Sequence, residues 1–242
     1  RAEKDSTIKS VLLDIDSPGG TVVGSSNVAD AVEKVQEKKP VIAYIGEVGA
    51  SGAYWIASSA DKIIAEPFGL TGSVGVTASY LQYGGLLSLV NITYERLVAG
   101  ELKDIATPYR ELTENERELL LKKLQLIHEE FINVVAENRN LSAAQKEEIS
   151  SGLFYLGKEA KELGLVDELG NKEDAEKVAK ELSGFDGLRI TKCERRQGLF
   201  SSLSSSSAKF SYNFAYFLGR GIGAELAFFQ LSQFSPLVPR IY

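Results

Sequence analysis

Three short apolar runs open the chain: Val11–Ile15 (VLLDI), Val41–Ile45 (VIAYI) and Asp61–Glu66 (DKIIAE). Bounded runs of this length suit strands buried on both faces. Between the first two lies Val22–Glu37, with Val28, Ala31, Val32 and Val35 at helical spacing. Lys38-Lys39-Pro40 ends it. A second helical stretch, Ala53–Ser59, precedes the third run. Strand and helix alternating over short links predict an α/β fold: a parallel sheet with covering helices. The length of 242 residues allows one large domain or two small ones.

The stretch Gly46–Ala60, GEVGASGAYWIASSA, carries the clearest chemical signal. Small residues crowd Ser51, a strand runs into it and a helix leaves it. A strand, a tight glycine turn and a helix place a serine on a sharp bend with its hydroxyl exposed. Amides at the new helix start then point where an oxyanion would sit. Ser51 is therefore a candidate nucleophile, against the plainer reading of a closely packed strand–helix turn. Asp16-Ser17-Pro18-Gly19-Gly20, after the first strand, is a second loop that leaves backbone amides open.

Composition removes several classes. A net charge of −6 argues against a general nucleic-acid binder. A single cysteine, Cys193, excludes an internal disulfide and a cysteine zinc cluster. No apolar span of 18 residues appears, and no signal peptide opens the chain. The start is abrupt: charged residues 1–9 lead almost directly into a buried-type strand, and methionine is absent. This reads as an excised fragment that lacks an upstream strand or anchor.

The rest of the chain continues the mixed pattern. Leu70–Thr77, LTGSVGVT, is too rich in glycine for a regular helix. A short helix is expected over Tyr83–Val90 and a strand over Ile92–Val98. Gly100–Glu111 is a polar loop. Thr113-x-x-Glu116 is a capping box that opens a long amphipathic helix reaching about Asn138. Ser142-x-x-Gln145 starts a shorter helix in the same way. Helices over Gly157–Leu163 and Lys172–Leu182, an extended turn over Leu165–Leu169 and a late strand over Leu188–Cys193 follow. The tail reads as a serine-rich linker, then an aromatic segment, Phe210–Tyr242, suited to docking on another subunit.

A serine nucleophile needs a base. The single histidine, His128, lies mid-helix in LIHEEF and reads as a surface residue. Lysine is the known substitute. Most lysines here sit in charged helical runs, but Lys103 follows Gly100 in VAGELKDIATP, flanked by Leu102 and Ile105. Desolvation in a partly apolar loop favours the neutral amine that a base requires. The plainer rival is a salt bridge to Asp104.

DSPGG (16–20), ASGAYWIASSADKI (50–63), TGSVGV (71–76), AGELKD (99–104), RELT (110–113) and LGLVDELG (163–170) resemble, in order and spacing, the signal peptide peptidase A family. The resemblance runs from about Val11 to Gly170 and more weakly to SPLVPRIY at the end. It implies a crotonase/ClpP-like fold and a Ser-Lys dyad. Ser51 matches the nucleophile, Lys103 the general base, and Ser73 a serine that orients the lysine amine. Gly20 and Gly52 match the oxyanion-hole positions. No metal or cofactor is called for. The resemblance implies cleavage of leftover signal peptides and other hydrophobic peptides, a catalytic domain outside the cytoplasm held by a membrane anchor absent from this chain, and a ring- or dome-shaped homo-oligomer. Ala53 and Trp55 depart from the glycine and tyrosine that many members carry there, which points to a changed pocket lining. The expected division is a peptidase domain over residues 1–196 and a tail over 197–242. The rivals are a crotonase-type acyl-CoA enzyme, which leaves Lys103 and Ser73 without roles, and a non-catalytic membrane-associated scaffold.

Overall fold

The computed structural model describes residues 2–185 and 187–192. They fall into two compact units, one of residues 2–77 with 122–190, the other of 78–121 with 191–192. The boundary expected at 196/197, the serine-rich linker and the aromatic tail lie outside the described residues.

In chain order the first unit contains β1 (Val11–Ser17), α1 (Val22–Gln36), β2 (Val41–Ala50), α2 (Gly52–Ser58), β3 (Lys62–Ala65) and β4 (Leu70–Gly72). The second holds α3 (Gly84–Leu89) and the start of α4 (Glu114–Asn138). The first resumes through the rest of α4, then α5 (Ala143–Ile149), β5 (Phe154–Leu156), α6 (Gly157–Glu162), β6 (Glu168–Leu169) and α7 (Lys172–Ser183). The helix starts follow the local chemistry. Thr21 caps α1 by accepting from the Gly24 amide, and capping boxes at Ser142 and Asn171 open α5 and α7.

β2 is the hub of a six-stranded, mostly parallel sheet. β1 pairs with it along one side, from Val11↔Val41 to Ser17↔Gly49. On the other side β3 pairs with its first half and β4 with its second, ending at Ala50↔Gly72. β6 extends the sheet beyond β3 in parallel, and β5 joins β4 antiparallel. Every residue of Val41–Ile45 is buried. Val41, Ala43 and Ile45 belong to the core shared with Ala29, Tyr54, Trp55, Phe131 and Val135. Ile42 and Tyr44 belong to a second core with Ile64, Ala175 and Ala179 of α7. Cover on both faces is why the strand reads as an unbroken apolar run. The Trp55 and Phe131 rings stack at 4.6 Å, 13° from parallel. The buried Tyr54 hydroxyl donates to the Leu165 carbonyl at 2.7 Å, and burial pushes that phenol well above its ordinary pKa.

Two expected strands are absent. Ile92–Val98 is irregular, and every residue from 91 to 103 is exposed. A β-prone run needs a neighbour to bond with, and the second unit contains no strand among its described residues. Leu188–Lys192 is likewise not a strand, and Cys193 lies outside the described residues. The sequence reading also missed β5 and placed only a turn where β6 pairs Ile64 with Glu168.

Phe131 is 2% exposed and closes the main core against Trp55. Phe131→Ala is expected to lower stability by about 3–5 kcal/mol, read as a shift of the urea midpoint at unchanged slope.

Candidate active site

The long strand β2 delivers Ser51 to a fixed point. Its amide donates to the Gly72 carbonyl at 2.8 Å, one step beyond the last strand pair, Ala50↔Gly72. Ser51 and Ser73 therefore leave adjacent parallel strands side by side. Both backbones are left-handed, with φ of 53° at Ser51 and 51° at Ser73. At Ser51 ψ is −126°, and the helix α2 begins at the next residue. A non-glycine residue held there costs on the order of 1–3 kcal/mol and marks functional turns. Surrounding bonds enforce the geometry. The buried Thr71 hydroxyl donates to the Gly49 carbonyl at 2.8 Å, and the Ser73 amide donates to Leu153 at 2.9 Å.

The loop after β1 folds over this turn. Gly19 has φ of 119°, and a Cβ there would stand 2.9 Å from both the Gly52 nitrogen and the Ser51 Cβ. A Cβ on Gly52 would collide with the Ser25 hydroxyl and approach the Gly20 nitrogen to 3.2 Å. The amides of Gly20 and Gly52 thus lie in one crevice, and neither donates to a backbone carbonyl among the described residues. Open, converging amides are what a developing oxyanion requires. A cleft of about 410 Å³ opens here, lined by Ile15, Gly19, Gly20, Ser25, Gly52 and Ala53 among others. A larger groove of about 770 Å³ lies between α1 and α4, but neither Gly20 nor Gly52 lines it, and Ser51 and Ser73 line neither cavity. The cleft bordered by both glycine loops is the better candidate.

The departures at Ala53 and Trp55 have different consequences. Ala53 lines the cleft, whereas Trp55 turns into the core on Phe131. His128, expected on the surface of its helix, sits on α4. It is half-buried, with Nε2 3.0 Å from the Val74 carbonyl. A carbonyl only accepts, so the ring nitrogen donates, bracing the residue after Ser73.

Lys103 belongs to the second unit and is exposed there. The salt bridge to Asp104 considered from the sequence does not form. Asp104 takes Arg96 Nε at 2.8 Å and Nη2 at 2.6 Å, and Arg110 Nη2 at 3.2 Å. These guanidiniums, Arg96 foremost, hold the Asp104 carboxyl well below the usual carboxylate range. Arg110 is also bidentate to Glu116, at 2.8 and 2.7 Å. Together with the Thr113 amide it lowers Glu116 to about 2. Sequence reasoning found Glu116 through its capping box, but its pairing with Arg110, and that of Arg96 with Asp104, carried no local signal.

The sequence model of Peptidase family S49 matches residues 33–186. The chain belongs to peptidase family S49. It is 38% identical over 226 residues to a Methanocaldococcus jannaschii protein named as a protease, covering 93% of this chain and 70% of that one. It is 35% identical over 176 residues to an Enterococcus faecium protein named as a signal peptide peptidase, SppA, covering 72% and 51%. Protease 4 of Haemophilus influenzae is 30% identical over 183 residues, covering 75% and 30%. The chain thus spans about half of the second relative and less of the third. The parallel-dominated sheet with its helices is consistent with the ClpP-like fold of family S49.

Two outcomes follow. Gly19→Ala sets a Cβ against the Ser51 turn at a backbone angle alanine resists. It is expected to slow labelling of Ser51 by a fluorophosphonate by about tenfold or more while circular dichroism stays native. The Glu116 carboxylate is held below its unfolded value near 4.5. Its stabilising contribution is therefore complete above about pH 4.5 and is lost as pH falls through about 2. A carbon-13 titration of the Glu116 carboxyl should show that low midpoint, moving up toward the ordinary carboxylate range in Arg110→Ala while the Thr113 amide and hydroxyl still hold it down.

Proposed function

We propose that the chain is the catalytic region of a serine peptidase in which Ser51 is the nucleophile and Lys103 the general base. The observation that carries this reading is the left-handed Ser51 turn beside Ser73 and beneath the paired amides of Gly20 and Gly52. The neutral amine of Lys103, oriented by Ser73, takes the Ser51 proton as Oγ attacks a peptide carbonyl. The Gly20 and Gly52 amides then stabilise the oxyanion, each donor being worth about 3 kcal/mol in such sites. Lys103 passes its proton to the leaving amine, and water, deprotonated by the same lysine, releases the acyl group.

The substrates in this reading are leftover signal peptides and other hydrophobic peptides at a membrane, cleaved outside the cytoplasm. The name of the Enterococcus relative and the family supply that support. No helix among the described residues is long and apolar enough to cross a membrane, so anchoring would depend on a segment not described here. A homo-oligomer is part of the proposal. Of residues 78–115 none is buried, and Leu86, Leu89, Val90, Ile92 and Leu97 are more than half exposed. A segment that buries so little does not recover its own ordering entropy without a covering surface.

The test is hydrolysis of a short hydrophobic fluorogenic peptide at matched folding and matched oligomeric state. Ser51→Ala and Lys103→Ala are each expected to lose about 10³-fold or more in kcat, with His128→Ala keeping the wild-type pH profile. Activity in Lys103→Ala, or a pH profile flattened by His128→Ala, would remove the lysine from its role.

A further inference from the structure

We infer that Arg96 and Asp104 form a clamp that positions Lys103, with Arg110 and Glu116 fastening the clamp to the first turn of α4. The inference rests on the reading of Lys103 as the base and gives that residue the support its own side chain lacks.

The loop around Lys103 has little else to hold it. Residues 91–103 are all exposed, and Asp104 to Pro108 only half-buried. Apolar packing therefore does not fix the main chain here. Short-range turns do part of the work: the amides of Lys103, Ile105 and Thr107 donate to the carbonyls of Gly100, Leu102 and Asp104. Such turns set local shape but leave the loop able to swing as a whole.

Arg96 removes that freedom. Its guanidinium donates to the Glu101 carbonyl on one side of Lys103 and, with two nitrogens, to the Asp104 carboxylate on the other. A planar fork that grips both flanks fixes orientation as well as distance, which a lysine ammonium at position 96 would not do. The second half of the chain of charges makes the attachment firm. Arg110 bridges Asp104 to Glu116, and Glu116 also accepts from the Thr113 amide and hydroxyl. Glu116 is 3% exposed and sits in the first turn of the 25-residue helix α4.

The arrangement has a second effect. Asp104 is the carboxylate nearest to Lys103 along the chain, and both its oxygens are occupied by arginine. No ion pair of Lys103 appears among the described residues. A base must not be tied as an ammonium to a neighbouring carboxylate, and the two guanidiniums take that carboxylate away. Arg96 and Asp104 are thus positioning residues: they act on the reacting atoms only through Lys103.

The experiment measures kcat and KM per folded chain for wild type, Arg96→Gln, Arg96→Lys, Asp104→Asn and Lys103→Ala in the full chain. Folded chains are counted by the native circular-dichroism and size-exclusion signal, which does not depend on the reactivity of Ser51, so misfolded protein drops out of the rate. In parallel the lysines are carbon-13 dimethylated, and the Lys103 resonance, assigned with Lys103→Arg, reports the placement of the amine independently of turnover. Arg96→Gln and Asp104→Asn are expected to lower kcat per folded chain by about tenfold to a hundredfold with KM within about twofold, as misplacing a catalytic group does. Arg96→Lys should recover only part of the loss, and the Lys103 resonance should shift or broaden in all three. A kcat per folded chain and a Lys103 resonance unchanged in Arg96→Gln and Asp104→Asn would overturn the clamp while leaving the Ser-Lys reading intact. Full activity in Lys103→Ala would instead overturn the base assignment, and the catalytic purpose of the clamp with it.

Discussion

A parallel strand with neighbours along both sides and apolar cover on both faces cannot slide, and β2 is such a strand. A one-residue slip would exchange the Val41–Ala43–Ile45 face with the Ile42–Tyr44 face and mismatch two cores at once. That constraint sets the position of whatever follows its last residue, and Ser51 follows it. The register that aligns Ala50 with Gly72 also brings Ser73 alongside. The β1 pairing, which ends at Ser17↔Gly49, brings the Gly19–Gly20 loop over the same point. Three segments distant in sequence meet because one strand holds them in register.

The second unit works by a different principle. It lacks buried apolar residues between 78 and 115, and its order around Lys103 comes from turns and from charge. The chain Arg96–Asp104–Arg110–Glu116 is neutral overall, with alternating signs, so each charge has its counter-charge in contact. Such a network gives direction where a core gives only cohesion.

Much of this was legible in the sequence, and the reason lies in range. Each strand and helix of the β-α-β-α-β opening, the helix caps at Ser142 and Thr113, and the serine on its glycine turn are signals spread over fewer than twenty residues each. The strand expected at Ile92–Val98 failed because β propensity states what a segment prefers, not whether a partner is at hand. β5 went unread because three residues, Phe154–Leu156, carry no period of their own and become a strand only against β4. The place of Ser51 beside Ser73 was implied by resemblance, and the register supplies its geometry. The partner of His128, the Val74 carbonyl, lies 54 residues away, so no local signal announced it.

The backbone at Ser51 has an evolutionary consequence. Its φ of 53° with ψ of −126° suits glycine far better than any residue with a side chain. A Ser51→Gly chain would fold more stably than the chain with serine, by a margin on the order of 1 kcal/mol. Glycine is therefore energetically downhill at this one codon, and under the proposed role of Ser51 as nucleophile it is turnover that holds the serine there against the preference of its own backbone.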